Sequence, residues 1–145
     1  MATAPQQFDA IIIGAGQAGP PLAGRLTAAG QTVAVIERKL VGGTCVNYGC
    51  IPTKTLVASA HAAQTARRGA EYGVGTGDVS IDMTKVKARK DKVMTDDREG
   101  VESWLEGMDN CTLIRGHARF TDPHTVTVDD QVLQADKIFL NVGGR

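Results

Sequence analysis

Unbroken apolar runs, rather than alternating ones, mark residues 8–13 and residues 137–142 of the chain. This pattern is typical of strands that are buried on both faces of a parallel sheet. A third strand is predicted over residues 31–37, and a helix over residues 21–29 ends at Gly30, which suits a left-handed helix C-cap. The succession of strand, helix and strand predicts a βαβ unit with a right-handed crossover.

The middle of the chain has helical periodicity. Apolar and alanine positions predict a helix over residues 51–69, and a longer polar helix is predicted over residues 83–107 with Asp82 as its N-cap. Charges of both signs alternate along the longer helix, which indicates a solvated face. Glycines place connecting loops at residues 40–49 and 69–78.

The last part of the chain turns to short β segments. Residues 111–134 are predicted to form a small antiparallel β-meander, with a hairpin that turns at Asp129 and Asp130. The buried strand at residues 137–142 follows, and the chain ends soon after it at Arg145. Because domains seldom end beside a core strand, we expect the 145 residues to form one incomplete domain.

Three glycines follow the first predicted strand directly. Gly14, Gly16 and Gly19 have the spacing G-x-G-x-x-G, and Glu37 ends the next predicted strand. In this context Gly14 permits a tight turn, Gly16 lets the backbone approach a pyrophosphate, and Gly19 allows close helix packing. A carboxylate at position 37 can bind a ribose 2′-OH and would repel a 2′-phosphate, which favours FAD or NAD over NADP. The alternative is a glycine-rich turn in an ordinary α/β sheet.

Together these elements predict an α/β fold, in which a Rossmann-like domain has a central parallel sheet, helices on both sides and a small antiparallel β-meander. Lys and Arg number 16, as do Asp and Glu, so charge gives no reason to expect nucleic acid as a partner. No apolar stretch approaches the roughly 20 residues of a membrane span, and residues 1–8 do not have the pattern of a secretory signal. We expect a cytoplasmic protein that does not bind membranes.

Two of the three cysteines, Cys45 and Cys50, lie close together among glycines. In a reducing compartment such a pair is more often catalytic or metal-binding than a structural disulfide. Two thiols are only half of a tetrahedral metal site, so we predict no metal site. The alternative is a pair of unbonded structural thiols. The third cysteine, Cys111, is interpreted as core packing.

The backbone around the cysteine pair indicates different roles for the two thiols. Five residues along a regular helix advance about 7.5 Å, more than a disulfide allows, so a bridge needs irregular backbone, which Gly49 can supply. Pro52 favours a helix that begins near Cys50, where the helix dipole and Lys54 stabilise a thiolate. Cys50 is therefore predicted to have the lower pKa, and Cys45, in the loop, to be the more accessible thiol.

Residues 42–54, GGTCVNYGCIPTK, closely resemble the redox motif of the pyridine nucleotide-disulfide oxidoreductases, which include dihydrolipoyl dehydrogenase, glutathione reductase and mercuric reductase. Residues 116–118 are similar to the adenine-side strand of that family, and residues 137–145 to the strand that closes its first FAD segment. The helix after the redox motif looks most like the mercuric reductase branch. The resemblance implies that residues 1–145 are the N-terminal segment of an FAD-binding domain, with the NAD(P)-binding and dimerisation domains absent.

The resemblance also implies a role for each site residue. Cys50 would face the flavin as a charge-transfer thiolate, and Cys45 would exchange with the substrate. Lys54 would lie near the flavin ring and stabilise negative charge there. The remaining FAD contacts that the resemblance implies are at Gly14, Gly16, Gly19, Glu37, Gly43, Thr44, Gly116 and Ala118.

The enzyme implied by the resemblance is an FAD- and NAD(P)-dependent oxidoreductase that is a homodimer at full length. Electrons would pass from NAD(P)H through FAD to a Cys45–Cys50 disulfide, and then to a small-molecule, metal-ion or disulfide substrate, with Hg(II) favoured. We expect this segment alone to be inactive. The alternatives are a dihydrolipoyl dehydrogenase-type disulfide reductase, a non-catalytic FAD-binding or electron-transfer module, and a dithiol metal-binding protein.

Overall fold

The computed structural model describes residues 4–144, which form one six-stranded sheet with helices. The strands in chain order are β1 Gln6–Ile13, β2 Val33–Glu37, β3 Cys111–Arg115, β4 Arg119–Asp122, β5 Thr125–Val128 and β6 Gln131–Leu140. The helices are α1 Gly19–Ala28, α2 Gly43–Asn47, α3 Cys50–Arg67 and α4 Met83–Glu106, and a 3₁₀ turn at Gly69–Tyr72 follows α3. The sheet order is β3-β2-β1-β6-β5-β4, parallel from β3 to β6 and antiparallel from β6 to β4. The predicted α/β class with a central parallel sheet is confirmed.

The middle of the parallel sheet explains the unbroken apolar run of β1. Ile11 and Ile12 point to opposite faces of the sheet, and both are fully buried. Ile12 shares its face with Val33 and Val35 of β2, and α1 and α4 cover this face, where Leu105 packs. Burying each such side chain stabilises the fold by about 1.5–3 kcal/mol, so this layer holds α4 against the sheet.

Strands, rather than helices, cover the opposite face of the sheet. Val126 of β5 packs there against Ile11 and Ile36. Gly116, which follows β3, lies so close to β5 that a Cβ at this position would come within 2.3 Å of Val128 Cγ1. Since β3 and β5 are far apart in the sheet order, the sheet must curl over itself. Within residues 4–144 helices therefore pack on one side of the sheet and not on both as predicted, because β5 and β6 supply the second apolar layer.

The antiparallel part of the sheet is smaller than the meander predicted over residues 111–134. β3 pairs in parallel with β2, so the antiparallel strands are β4, β5 and β6. The strands predicted separately near residues 131–133 and 137–142 form the single strand β6, which begins against β5 and continues against β1. Asp136, between the two predicted strands, does not interrupt β6 because its side chain is exposed.

Local signals set the helix boundaries. Asp82 caps α4 as predicted, because its Oδ1 accepts hydrogen bonds from the backbone N–H groups of Thr84 at 3.0 Å and Lys85 at 3.1 Å. The short helix α2, by contrast, lies inside the loop predicted over residues 40–49 and follows Gly42, whose φ is +91°. α2 has only five residues, too few for hydrophobic periodicity to reveal. In the described part of the chain no helix is both long and apolar enough to cross a membrane.

Candidate active site

A cavity of about 930 Å³ opens at the carboxyl ends of the four parallel strands. Each strand contributes a residue at or just beyond its end, namely Gly14 for β1, Glu37 for β2, Gly116 for β3 and Asn141 for β6. Ligands of open α/β sheets bind at this edge. The structure brings together in this cavity nine of the site residues selected from the sequence: Gly14, Gly16, Glu37, Gly43, Thr44, Cys45, Cys50, Gly116 and Ala118.

The three motif glycines differ in what surrounds them between β1 and α1. Gly14 has a φ of +109°, and a Cβ there would lie 2.1 Å from the carbonyl oxygen of Asn141. A Cβ on Gly16 would have no atom nearer than 3.7 Å, so this backbone faces the open cavity. Gly19 lies behind the cavity lining, where a Cβ would come within 2.4 Å of the Gly14 carbonyl oxygen. Gly14 and Gly19 therefore permit close packing, and Gly16 leaves room for a ligand.

Both carboxylate oxygens of Glu37 accept backbone hydrogen bonds. Oε2 accepts from the N–H of Ala15 at 2.9 Å, and Oε1 accepts from the N–H of Lys39 at 2.8 Å. The carboxylate thus joins the glycine loop to the segment after β2. Each carboxylate oxygen keeps a further lone pair, so Glu37 can still accept a hydrogen bond from a ligand hydroxyl group.

The glycine loop also contacts the redox segment, which we define as residues 42–50. The N–H of Gly42 donates to the carbonyl oxygen of Ala15 at 2.8 Å. Gly43 has a φ of +61°, and a Cβ there would come within 2.8 Å of Gly16 Cα. Backbone therefore lies directly against backbone at this junction, which sets the redox segment beside the cavity.

The two cysteines lie on different helices. Cys45 is in the middle of α2, and Cys50 is the first residue of α3. Gly49 connects the helices with φ of −120° and ψ of −102°, which is the irregular backbone expected between the thiols. Both cysteines are free thiols in the structure. The pKa of the Cys45 thiol is raised, chiefly by its hydrogen bond with Cys50 and then by burial.

Accessibility of the two thiols is the reverse of the prediction. Cys50 is exposed, whereas Cys45 is partly buried, because its segment is the helix α2 rather than an open loop. Lys54 has an exposed side chain and does not line the cavity. Its charge is near enough to lower the Cys45 pKa slightly, against the larger effect of Cys50. Its role beside a flavin stays a prediction.

The cavity also contains residues that the sequence reasoning did not select. Asn141 donates from Nδ2 to the Gly14 carbonyl oxygen at 3.0 Å and so fixes the strained turn. Arg38, Tyr48 and His117 line the cavity as well, and Tyr48 is 70% exposed. The strand predicted over residues 137–142 includes Asn141, whereas β6 ends at Leu140, so the sequence did not show that Asn141 lies at the edge of the sheet where ligands bind. Cys111 lies in β3 outside the cavity lining, where burial raises the pKa of its thiol.

These features fit a dinucleotide such as FAD. The cavity volume lies within the range of about 300–1,000 Å³ that small-molecule and cofactor sites occupy. Pro20 and Pro21 lack backbone N–H groups, and the N–H of Gly19 donates to the Gly16 carbonyl oxygen at 3.1 Å. Since the first turn of α1 contains no acidic residue, it is the positive end of the helix dipole that favours a pyrophosphate there. Within residues 4–144 no group of three His, Cys, Asp or Glu side chains is placed to hold a metal ion.

Known proteins resemble this chain in both sequence and structure. The family model for pyridine nucleotide-disulphide oxidoreductases matches residues 8–145. Dihydrolipoyl dehydrogenase of Bacillus subtilis is 35% identical over 88% of this chain, and mercuric reductase of Lysinibacillus sphaericus is 33% identical over 94%. The chain spans 27% and 25% of the lengths of those two relatives.

A solved structure shares the fold. The HOCl-induced flavoprotein disulfide reductase RclA from Escherichia coli superposes with a TM-score of 0.77 at 37% identity. The superposition covers 94% of this chain and 28% of that protein. A Cu(II) complex of the same reductase gives a TM-score of 0.76 at 34% identity, covering 95% of this chain and 29% of that one. The resemblance drawn from residues 42–54 is confirmed at the level of the family.

Proposed function

The chain belongs to the pyridine nucleotide-disulphide oxidoreductase family, and we propose that it supplies the dinucleotide cavity and redox dithiol of a flavoprotein reductase. One observation carries this proposal: Cys45 and Cys50 line the same cavity as Gly14 and Gly16. A dithiol beside a cofactor cavity suits two-electron exchange with a sulfur-containing substrate.

FAD is the cofactor of this flavoprotein family. In this chain the loop of Gly14 and Gly16 and the N-terminus of α1 would hold its pyrophosphate, and Glu37 would bind its adenosine ribose. Gly116 would lie on the adenine side and Lys54 near the ring. When bound, FAD supplies two-electron transfer between NAD(P)H and the protein thiols.

The thiols themselves carry out exchange with a substrate disulfide. A Cys45 thiolate attacks one substrate sulfur, which forms a mixed disulfide and releases the first substrate thiol. Cys50 then attacks the Cys45 sulfur, so the protein disulfide closes and the second substrate thiol leaves. Two electrons and two protons pass from the dithiol to the substrate in the whole cycle. Cys45 and Cys50 line the same cavity on two successive helices that are joined through Gly49, which places the second thiol near the first.

Cys45 as the substrate thiol must be reconciled with the greater exposure of Cys50. Both cysteines line the cavity, so a cofactor bound there would compete with external reagents for Cys50. We therefore propose that FAD shields Cys50 and leaves Cys45 to react. Iodoacetamide should label Cys50 first in the chain without FAD, and FAD should slow this labelling. Equal labelling of Cys50 at saturating FAD would contradict the assignment.

For the substrate, we propose Hg(II), which receives two electrons and is bound by soft thiolate ligands. The similarity to mercuric reductase at 33% identity supports this choice. Reduction of a cyclic disulfide, as in dihydrolipoyl dehydrogenase, has equal support from the 35% identity to that enzyme. In the whole protein that contains this chain, NAD(P)H consumption should increase with Hg(II) and not with lipoamide. The opposite result would favour the disulfide reductase.

Titration of the purified chain with FAD tests the dithiol proposal directly. We expect weak binding, since the chain spans only about a quarter of the relatives' length. After a limiting dithiol reductant is added, the bound flavin should gain a long-wavelength absorption band. Cys50→Ser should abolish this band, whereas Cys45→Ser should strengthen it. The reverse pattern would exchange the two roles, and bound flavin without a band in any form would contradict contact between the dithiol and FAD.

A further inference from the structure

Asn47 is a buried polar residue between the two cysteines. Its side chain is in α2, and the residue is only 5% exposed. Nδ2 donates hydrogen bonds to the carbonyl oxygens of Val41 at 2.9 Å and Gly43 at 3.0 Å. Both carbonyl groups lie at the start of α2 and Asn47 is its last residue, so this one side chain ties the two ends of the helix together.

α2 needs such a tie because it is short and begins in strained backbone. A helix of five residues is not stable on its own, since the free-energy cost of nucleating a helix exceeds the gain from the hydrogen bonds of a single turn. Gly42 and Gly43 enter it with φ values of +91° and +61°. The place of Cys45 relative to Cys50 therefore depends on whatever holds α2 in position.

Arg98 extends the tie to the long helix α4. Its Nη1 donates to Asn47 Oδ1 at 3.4 Å, a long contact that joins the redox segment to a residue 51 positions away in sequence. Arg89, also on α4, instead donates to the Thr55 carbonyl oxygen of α3 at 3.0 Å. The two arginines thus contact different places: Arg98 contacts a residue between the cysteines, and Arg89 contacts α3 beyond the redox segment.

We propose that Asn47 is a positioning residue that holds the Cys45 thiol against Cys50, and that Arg98 supports it. This inference rests on the proposed function of the dithiol. With Asn47 in place the thiols are preorganised, which favours closure of their disulfide over two separate thiols. Without it α2 loosens, and the disulfide becomes less favourable to form.

Equilibration of the chain with oxidised and reduced dithiothreitol measures this effect. Oxidised dithiothreitol takes two electrons and two protons from Cys45 and Cys50, so one S–S bond forms in the protein as one breaks in the reagent. Alkylation and peptide mass spectrometry then give the fraction of Cys45–Cys50 disulfide. Asn47→Ala should lower the equilibrium constant about tenfold, which corresponds to about 30 mV for a two-electron couple.

A matched control separates positioning from general stability. Thr55 is also buried and polar, at 7% exposed, and its hydroxyl donates to the Ile51 carbonyl oxygen within α3 at 2.8 Å. Thr55→Val removes a buried hydrogen bond whose donor and acceptor both lie in α3. It should lower the melting temperature and leave the dithiothreitol equilibrium unchanged. Asn47→Ala should in addition lower the pH midpoint of Cys45 alkylation, because Cys50, the main cause of the raised Cys45 pKa, is then held less closely to it.

Arg98→Leu and Arg89→Leu keep the test decisive if Asn47→Ala does not fold. Each substitution removes one arginine of α4. Only Arg98→Leu should lower the equilibrium constant for forming the Cys45–Cys50 disulfide, by about threefold. Equal constants for the wild-type chain, Arg98→Leu and a folded Asn47→Ala would overturn the inference alone. A wild-type chain that forms no Cys45–Cys50 disulfide at any dithiothreitol ratio would overturn the proposed function, and this inference with it.

Discussion

The glycine loop at residues 14–19 and the redox segment at residues 42–50 line the same cavity but are held in different ways. In the glycine loop, backbone lies against backbone where Cβ atoms would come within 2.1–2.4 Å of carbonyl oxygens. The redox segment shares one such backbone contact, between Gly43 and Gly16, but the buried side chain of Asn47 and a contact from α4 also hold it. Close backbone contact therefore limits substitution of Gly14 and Gly19 in the glycine loop, whereas the position of the redox segment also depends on a residue of α4 that is far away in sequence.

The largest expected effect is on the glycine loop. Gly14→Ala places a Cβ 2.1 Å from the Asn141 carbonyl oxygen, at a φ of +109° that side chains rarely adopt. The free energy of unfolding should fall by about 3 kcal/mol or more, since both strain and a backbone clash oppose the substitution. Urea unfolding followed by the fluorescence of Trp104, the single tryptophan, measures it.

Gly75→Ala is the control for Gly14→Ala. Gly75 is exposed, has no atom within 4 Å of an added Cβ and lacks a positive φ. Its free energy of unfolding should change by no more than about 0.5 kcal/mol. If Gly14→Ala were equally mild, the loop would not be held by close backbone contact.

The next largest effect is expected at Gly16, where a substitution should weaken FAD binding rather than lower stability. Gly16 lines the cavity, and a Cβ at this position would meet nothing nearer than 3.7 Å. Gly16→Val should therefore fold nearly as well as the wild-type chain but bind FAD at least about tenfold more weakly, since the branched side chain fills the space of the pyrophosphate. Flavin fluorescence quenching gives the affinity, with Gly75→Val as the control. Unchanged affinity would show that FAD does not approach Gly16.

The same contrast explains how far the sequence could predict the structure. The roles of Gly14 and Gly19 and the Asp82 cap follow from rules that act within a few residues, and each is seen in the fold. The contact of Arg98 with Asn47 joins residues 51 positions apart, and the packing of Val126 on Ile11 depends on the curl of the whole sheet. Periodicity carries no information about either pairing. The predicted accessibility of the two cysteines was wrong because α2, with five residues, is too short to show a helical pattern of apolar residues in the sequence.

The Asp82 cap should have a moderate effect. Its carboxylate accepts two backbone hydrogen bonds at the start of α4, the helix that carries Arg98. Asp82→Ala should reduce the free energy of unfolding by about 1 kcal/mol. Asp96→Ala, which removes an exposed ion pair with Lys92 on the same helix, should cost no more than about 0.5 kcal/mol. Equal losses in urea unfolding would mean that the cap adds nothing beyond its charge.

The smallest expected effect concerns the Cys45 thiol alone. Its pKa is raised first by the hydrogen bond with Cys50, while Lys54 acts in the opposite direction. Cys50→Ala removes the raising partner and leaves Lys54, so the pKa of Cys45 should fall and its alkylation midpoint should move to lower pH. Because more thiolate is then present, alkylation at pH 8 should become about threefold faster.

Two substitutions show whether the shift in Cys45 belongs to the redox segment. Cys111→Ala removes the third thiol, which lies in β3, and should leave the Cys45 midpoint unchanged. Gly16→Val should also leave it unchanged, although it alters the cavity from the side of the glycine loop. A Cys45 midpoint that stays constant or rises in Cys50→Ala would mean that Cys50 does not raise the pKa of Cys45. A midpoint that moved equally in Gly16→Val would mean that the shift is not specific to Cys50.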